Sequence, residues 1–294
     1  MVEIGLLGVP SNSSGTADGV ALAPAVLREA GLLDALGEAL PVVDHGDVPS
    51  IPGGPARDAA TGMIDPHGLR ATVEEVRRGV AAILGEGRFP LVVGGDCPLL
   101  LGCLAASGRS GERGLLFVDG HEDAYPPERS PTGEAADMEL GIATGITDVG
   151  WWPELAAASP LVRPRDVRIL GARDADQLDL DGVPSLADTV PLVDGKALVT
   201  DPARETSRAV TSLAVPWWFH VDLDVLATEA LPAVDYVQPG GLSWDDLDEV
   251  AEVALAAGPI GWDVTIYNPD LDPTREHARR IVRFLGEALR HLAV

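Results

Sequence analysis

The segment LLFVDGHED, residues 115–123, decides how this chain is read. Four apolar residues run into an aspartate, a glycine and three further polar residues. A short, wholly apolar run is the pattern of a strand buried on both faces of a sheet. The polar residues crowd at its carboxyl end, where open α/β sheets place their sites. If the backbone stays extended past Asp119, alternate residues share a face, and Asp119, His121 and Asp123 converge on one point.

The same pattern recurs twice. FHVDLDV (219–225) gives Asp222-x-Asp224, with His220 two residues earlier on the same face. VVGGDCP (92–98) ends an apolar strand on a glycine pair that presents Asp96 and Cys97. Any one of these motifs alone reads as a turn or a cap. Together they gather several carboxylates at strand ends, which is unfavourable unless something neutralises them. A pair of divalent cations would do so, and four aspartates, a histidine and a cysteine supply enough donors for two ions.

Outward from these segments, strands and helices alternate. Strands are expected at 2–9, 40–44, 91–93, 115–119, 167–170, 217–224 and 260–266. Helices are expected around 24–36, 68–85, 137–146, 243–257 and 273–291, with Cys103 in a further helix as core. Residues 176–216 carry Pro, Gly and Asp breaks and read as an insertion or long loop. This alternation predicts an α/β fold, three layers deep, with a mostly parallel sheet covered on both faces. No linker or repeat interrupts it, so one domain over 1–294 is expected.

The chain of 294 residues is 46% hydrophobic, enough for a large core. It carries 21 Lys and Arg against 46 Asp and Glu, a formal net charge of −25. Such a surface is repelled by phosphate backbones and anionic lipid, so nucleic acid and membrane are excluded as expected partners. A cationic small molecule or a metal ion fits better. The first residues lack a basic n-region before their apolar run, and two cysteines make no disulfide framework, so a cytoplasmic location is expected.

GGDCPLL, DGHED, DLDVL and NPDLDP, in this order, resemble the signature segments of the arginase/agmatinase (ureohydrolase) family. The opening GVPSNSSG (8–15) and GVALAPAVLREAGL (19–32) are similar to that family's N-terminal pattern, so the likeness runs from Gly8 to about Leu289. The resemblance implies an arginase-like fold, a homo-oligomer (trimer or hexamer), and two Mn²⁺ ions holding a hydroxide that attacks a guanidinium or amidine carbon. Matched residue by residue, Asp119, His121, Asp123, Asp222 and Asp224 fall on ligand positions. Cys97 falls where the family usually has a ligand histidine. A thiolate there shifts that one site toward Zn²⁺ or Fe²⁺, while the oxygen-rich partner site suits Mn²⁺. GARDADQLD (171–179) resembles the substrate-contacting segment, which makes Asp174 and Asp176 acceptors for a cationic end.

Three positions depart from the family pattern. Ala136 stands where the family has its catalytic histidine. Ile266 stands where it has a guanidinium-orienting glutamate, and Tyr125 where it often has an asparagine that helps hold a substrate carboxylate. Thr132-Gly133 keeps the Ser-Gly pattern of that loop, so Thr132 counts as a substrate contact with Tyr125. L-Arginine is therefore a poor fit, since an unpaired guanidinium loses hydrogen-bond energy. Glu134, Asp137, Glu139 and His220 are the candidates for replacement acid or base. The expectation is a binuclear hydrolase of a C–N bond in a linear amidine or guanidino compound. Two alternatives stay open: a non-catalytic binding or regulatory protein of the same fold, and a single-metal amide hydrolase.

Overall fold

The computed structural model describes residues 2–108 and 112–292. Its strands are β1 (Ile4–Val9), β2 (Val42–Asp47), β3 (Phe89–Gly94), β4 (Gly114–Val118), β5 (Val167–Leu170), β6 (Leu192–Val193), β7 (Trp217–Asp222) and β8 (Trp262–Thr265). Its helices begin with α1 (Ala23–Glu29), α2 (Leu32–Ala39), α3 (Pro66–Gly85), α4 (Leu99–Ala106), α5 (Glu139–Thr144) and α6 (Pro153–Ala158). They continue with α7 (Ala175–Asp181), α8 (Gly195–Thr200), α9 (Pro202–Thr211), α10 (Trp244–Ala256) and α11 (Glu276–Ala288). None of the described helices is long and apolar enough to cross a membrane.

The described strands form one sheet in the order β2-β1-β3-β8-β7-β4-β5-β6, and every pairing is parallel. Period-two alternation splits each strand between two cores. Leu116 and Val118 pack with Trp217, Phe219 and Val221 on one face. Leu115 and Phe117 pack with Trp218 and Val167 on the other. Residues of α1, α2, α10 and α11 cover the first face, and residues of α3 and α4 cover the second. Each fully buried apolar side chain contributes about 1.5–3 kcal/mol. The architecture is the three-layer α/β/α arrangement expected of the sequence.

Several boundaries differ from expectation. The helix expected over 24–36 is two helices, broken where Gly31 adopts a φ of 97°. The helix expected at 137–146 is a 3₁₀ turn at Ala135–Asp137 followed by α5, which stops at left-handed Gly145. Residues 176–216 are not a long loop: most of α7, all of β6, α8 and α9 lie there, with Asp194 and Asp201 capping the last two helices. Its Pro, Gly and Asp residues start and stop elements rather than preventing them. The strand expected to 224 ends at Asp222, because Leu223–Val225 is a 3₁₀ turn.

The strand order is what builds the site. Although β7 and β8 come late in the chain, they insert between β3 and β4. The carboxyl ends of β3, β8, β7 and β4 therefore lie side by side, with Val93 level with Val264, Thr265 with Asp222, and Val221 with Val118. After β3 the chain passes close under the N-terminal loop: a Cβ on Gly95 would lie 2.0 Å from the Ser11 carbonyl oxygen. Asp96 ties the same two segments together, accepting from the Ser13 N–H at 2.6 Å. Gly37, inside α2, faces open space instead. Gly95→Ala should lower the melting temperature sharply, since neither backbone can retreat. Gly37→Ala should raise it by about 1–2 °C, through ~0.5–1 kcal/mol of helix propensity. Thermal melts of the two variants check this contrast.

Candidate metal centre

Asp119, the first residue past β4, is fully buried. Its Oδ1 accepts from the His121 N–H at 2.7 Å, which turns the chain sharply. The DGHED segment is thus not extended, and Asp123 sits at a φ of 42°. Asp119 and His121 meet through this turn rather than through strand alternation. Asp222 and Asp224 are related in the same way, Asp222 Oδ1 accepting from the Asp224 N–H at 2.6 Å. Asp224 then reaches across, with Oδ1 accepting from the Gly120 N–H at 3.0 Å and Oδ2 lying 2.9 Å from His121 Nδ1. Donor atoms of Asp119, His121 and Asp224 all lie within 4.8 Å of one another.

A second, deeper group shares Asp119. Cys97 Sγ, an oxygen of Asp119, an oxygen of Glu139 and a ring nitrogen of His220 also lie within 4.8 Å of one another. Cys97 follows the Gly-Gly turn after β3 and donates to Asp222 Oδ2 at 2.8 Å, with Thr265 Oγ1 3.0 Å away. Glu139 opens α5, where the Asp123 carbonyl accepts from the N–H groups of Leu140 and Gly141. That contact pins α5 beneath the DGHED loop. Four atoms of this group have no hydrogen-bond partner: Asp119 Oδ2, both oxygens of Glu139, and His220 Nε2. Buried polar atoms are rarely left so, because desolvation without a partner costs several kcal/mol. Oxygen, nitrogen and sulfur donors crowded without protons to share fit divalent cations.

The electrostatics agree. Burial pushes the carboxyls of Asp123, Asp222 and Glu139 well above the usual range, and neighbouring carboxylates push them further. Burial also raises the Cys97 thiol, with Asp222 adding to it. Burial would pull His121 and His220 down, but Asp224 beside the first and Asp263 beside the second more than offset it. Asp119 is itself held low: burial opposes this, but electrostatic attraction to His121 and His220 outweighs it.

A cavity of about 370 Å³ opens onto the outer group. Its walls include His121, Asp123, Asp222 and Asp224, and also Tyr125, Thr132, Glu134, Ala136, Asp137, Asp174 and Ile266. Glu134 accepts from Tyr236 Oη at 2.8 Å and is pushed by burial to about 7. Asp137 accepts from Ser130 and Thr132 and is pushed by burial to about 6. Asp174 is likewise raised by burial to about 6. Tyr125 donates to Asp181 at 2.8 Å. Three expected substrate or acid–base residues lie elsewhere. Asp176 is exposed on α7, where Gln177 faces the cavity instead, and Glu139 and His220 are fully buried and do not line it.

Sequence reasoning missed Asp235, Tyr236 and Gln238, which reach the cavity from the loop between β7 and α10. No local pattern marks that loop. It also missed Asp263, which bonds both Trp218 and His220 from β8. A single aspartate inside the apolar run IGWDVTI was the available signal.

In the metal-free chain these shifts share a sign. A carboxyl whose folded pKa exceeds its unfolded value of about 4 favours folding at low pH, and that advantage is lost as pH rises through the folded value. A histidine with a raised pKa behaves the same way, and only Asp119 opposes. The chelator-treated protein should therefore melt higher near pH 5 than near pH 7.5, with Glu134, Asp137 and Asp174 setting the window up to about 7. Divalent cations should narrow the difference. A metal-free melting temperature that climbs from pH 5 to 7.5 would contradict the site's electrostatics.

The comparisons with known proteins point the same way as the geometry. The sequence profile of the arginase family matches residues 2–290. An arginase of Bacillus caldovelox is 29% identical over 301 residues, covering 97% of each chain. An arginase of Staphylococcus aureus (strain COL) is 28% identical, covering 96% of this chain and 95% of that protein. The solved B. caldovelox arginase structure superposes with a TM-score of 0.85 over 98% of both chains, at 23% identity, which bears on the fold alone. With a family profile matched along nearly its whole length, the chain belongs to the arginase family.

Proposed function

We propose that the chain, as one domain over residues 1–294, is a two-cation hydrolase that cleaves a C–N bond in a linear guanidino or amidino compound. The reading is carried by one observation: a carboxylate-walled cavity opens onto the outer of two donor groups that share Asp119. Cys97, Asp119, His121, Asp123, Asp222 and Asp224 are proposed to hold the ions, and Mn²⁺ suits the outer, oxygen-rich position. Bound cations there supply Lewis acidity and a nucleophilic water near neutral pH.

The protein's own groups do the rest. Asp174, Asp137, Glu134 and Asp235 line the cavity, and among its lining residues only His121 can carry positive charge. This wall draws in a cation and offers a substrate carboxylate no cationic partner other than His121. Glu134 and Asp137, with pKa values near 7 and near 6, can each hold or release a proton at neutral pH. They take the place of a histidine at Ala136, which lies in the same wall. Ile266 presents a hydrocarbon side chain where a guanidinium would look for an acceptor, so the charged end is expected to orient toward Asp174 or Glu134 instead. Thr132 holds Asp137 in place at 2.9 Å.

Release of urea or ammonia from a series of guanidines and amidines, each with and without an α-carboxylate, tests this reading. The carboxylate-free members should be preferred by about tenfold in kcat/KM or more, in proportion to one unpaired buried charge. Glu134→Gln should lower kcat by roughly a hundredfold, the low end of general acid–base catalysis. If the metal-loaded protein releases product from no member of the series, the non-catalytic reading replaces this one.

A further inference from the structure

Glu139 and His220 are too deep to meet a substrate, since neither lines the cavity and both are fully buried. Glu139 keeps both oxygens, and His220 keeps Nε2, without a hydrogen-bond partner. We propose that they are ligands of the inner cation, completing with Cys97 and Asp119 a mixed thiolate–imidazole–carboxylate site that selects Zn²⁺ or Fe²⁺ over Mn²⁺. The proposal rests on the two-cation reading for the outer ion but not on any hydrolytic activity.

The arrangement around His220 carries it furthest. Asp263, fully buried on β8, places Oδ1 2.5 Å from Trp218 Nε1 and Oδ2 2.5 Å from His220 Nδ1. Indole nitrogen only donates, so Asp263 is an acceptor there, and Nδ1–H donates to its other oxygen. The ring is further fixed by stacking on Phe117, with centroids 4.7 Å apart. Nε2 then faces the group without a hydrogen-bond partner: Asp119 Oδ2 is 3.8 Å away, beyond a hydrogen bond. A histidine held by a carboxylate at one nitrogen and bare at the other is the arrangement of a metal ligand and its orienting partner.

Glu139 gives an independent observation. Both its oxygens are buried without partners, in a group that also holds Asp119 and Cys97. Asp119, Glu139 and Cys97 could all be ionised in this dry interior only with a cation among them. Asp119 divides its oxygens, Oδ1 toward His121 and Oδ2 toward His220, so each ion would take one. Donors that include a thiolate and an imidazole suit Zn²⁺ or Fe²⁺, whereas Mn²⁺ favours oxygen; Asp222, its Oδ2 2.8 Å from Cys97 Sγ, adjoins the same group.

Cobalt substitution reads the inner site without reference to turnover. Chelator-treated protein is reloaded with Co²⁺, and the thiolate-to-cobalt charge-transfer band and the metal content are recorded together. The wild type should bind about two ions per chain and show the band. Glu139→Gln and His220→Asn should each retain about one ion and lose most of the band, whereas His121→Asn should lose the outer ion and keep it. Under equimolar Mn²⁺ and Zn²⁺, the wild type should take one zinc per chain, and Cys97→Ser should take less. Because a buried variant can fail to fold, X-ray absorption at the zinc edge of the wild type gives a second readout, with sulfur and nitrogen scatterers both expected. A full band and two ions in Glu139→Gln and His220→Asn would overturn the assignment, as would a wild-type zinc edge free of sulfur. A correct metal pattern with no hydrolysis of any guanidine would instead remove the hydrolase reading and leave this one standing.

Discussion

A carboxylate with no access to water and a donor group on each side of it governs this molecule. Asp119 is fully buried, one oxygen facing His121 and the other facing His220. Around it, Asp123, Asp222, Glu139 and Cys97 are all driven toward their neutral forms by burial and by one another. Concentrated desolvation of this kind opposes folding, and backbone hydrogen bonds and apolar packing around it offset the cost. The Asp224, Asp222 and Asp96 carboxylates accept backbone N–H groups, and the strands beneath bury apolar residues on both faces. On the proposed two-cation reading, a cation on each side of Asp119 would convert the liability into binding energy and stabilise the folded chain by mass action.

Sheet order places the charges, and the connecting turns aim them. Inserting β7 and β8 between β3 and β4 aligns four strand ends, but none of the chemistry depends on extended backbone. Asp119 and Asp222 each fold back on the residue two positions later. Ile266 is held at a φ of 74°, unusual for a β-branched residue, with its N–H on the Gly95 carbonyl at 2.8 Å. Such strain costs on the order of 1–3 kcal/mol and tends to persist where a site needs it. Here it sets an apolar side chain into the cavity wall beside carboxylates. The cavity thus combines a cation-seeking side with a greasy one, and this asymmetry distinguishes it from a site built only to grip a guanidinium.

Much of this was legible in the residues. Short apolar runs announced the parallel sheet. DGHED and DLDVL supply Asp119, His121 and Asp224 to the donor groups, while Asp123 and Asp222 stand beside them; turns bring these residues together, not the strand alternation expected. Residues 176–216 were misread because short helices with Asp caps look like loops when every breaker is counted as a break. In the sequence Glu139 reads as a candidate acid or base facing the substrate. Its place at the head of the apolar segment LGIA was the sign that it would be buried. Asp235 and Tyr236 could not be found at all, since long-range packing alone brings their loop to the cavity.

The central claim is that two cations flank Asp119. A crystal structure of protein purified without chelator, with anomalous difference maps at the manganese and zinc edges, tests it most directly. The account predicts two peaks in contact with Asp119, one beside Cys97, Glu139 and His220, the other beside His121 and Asp224. Density for waters alone in both places, with Asp119 Oδ2, Glu139 and His220 Nε2 hydrogen-bonded through them, would contradict it.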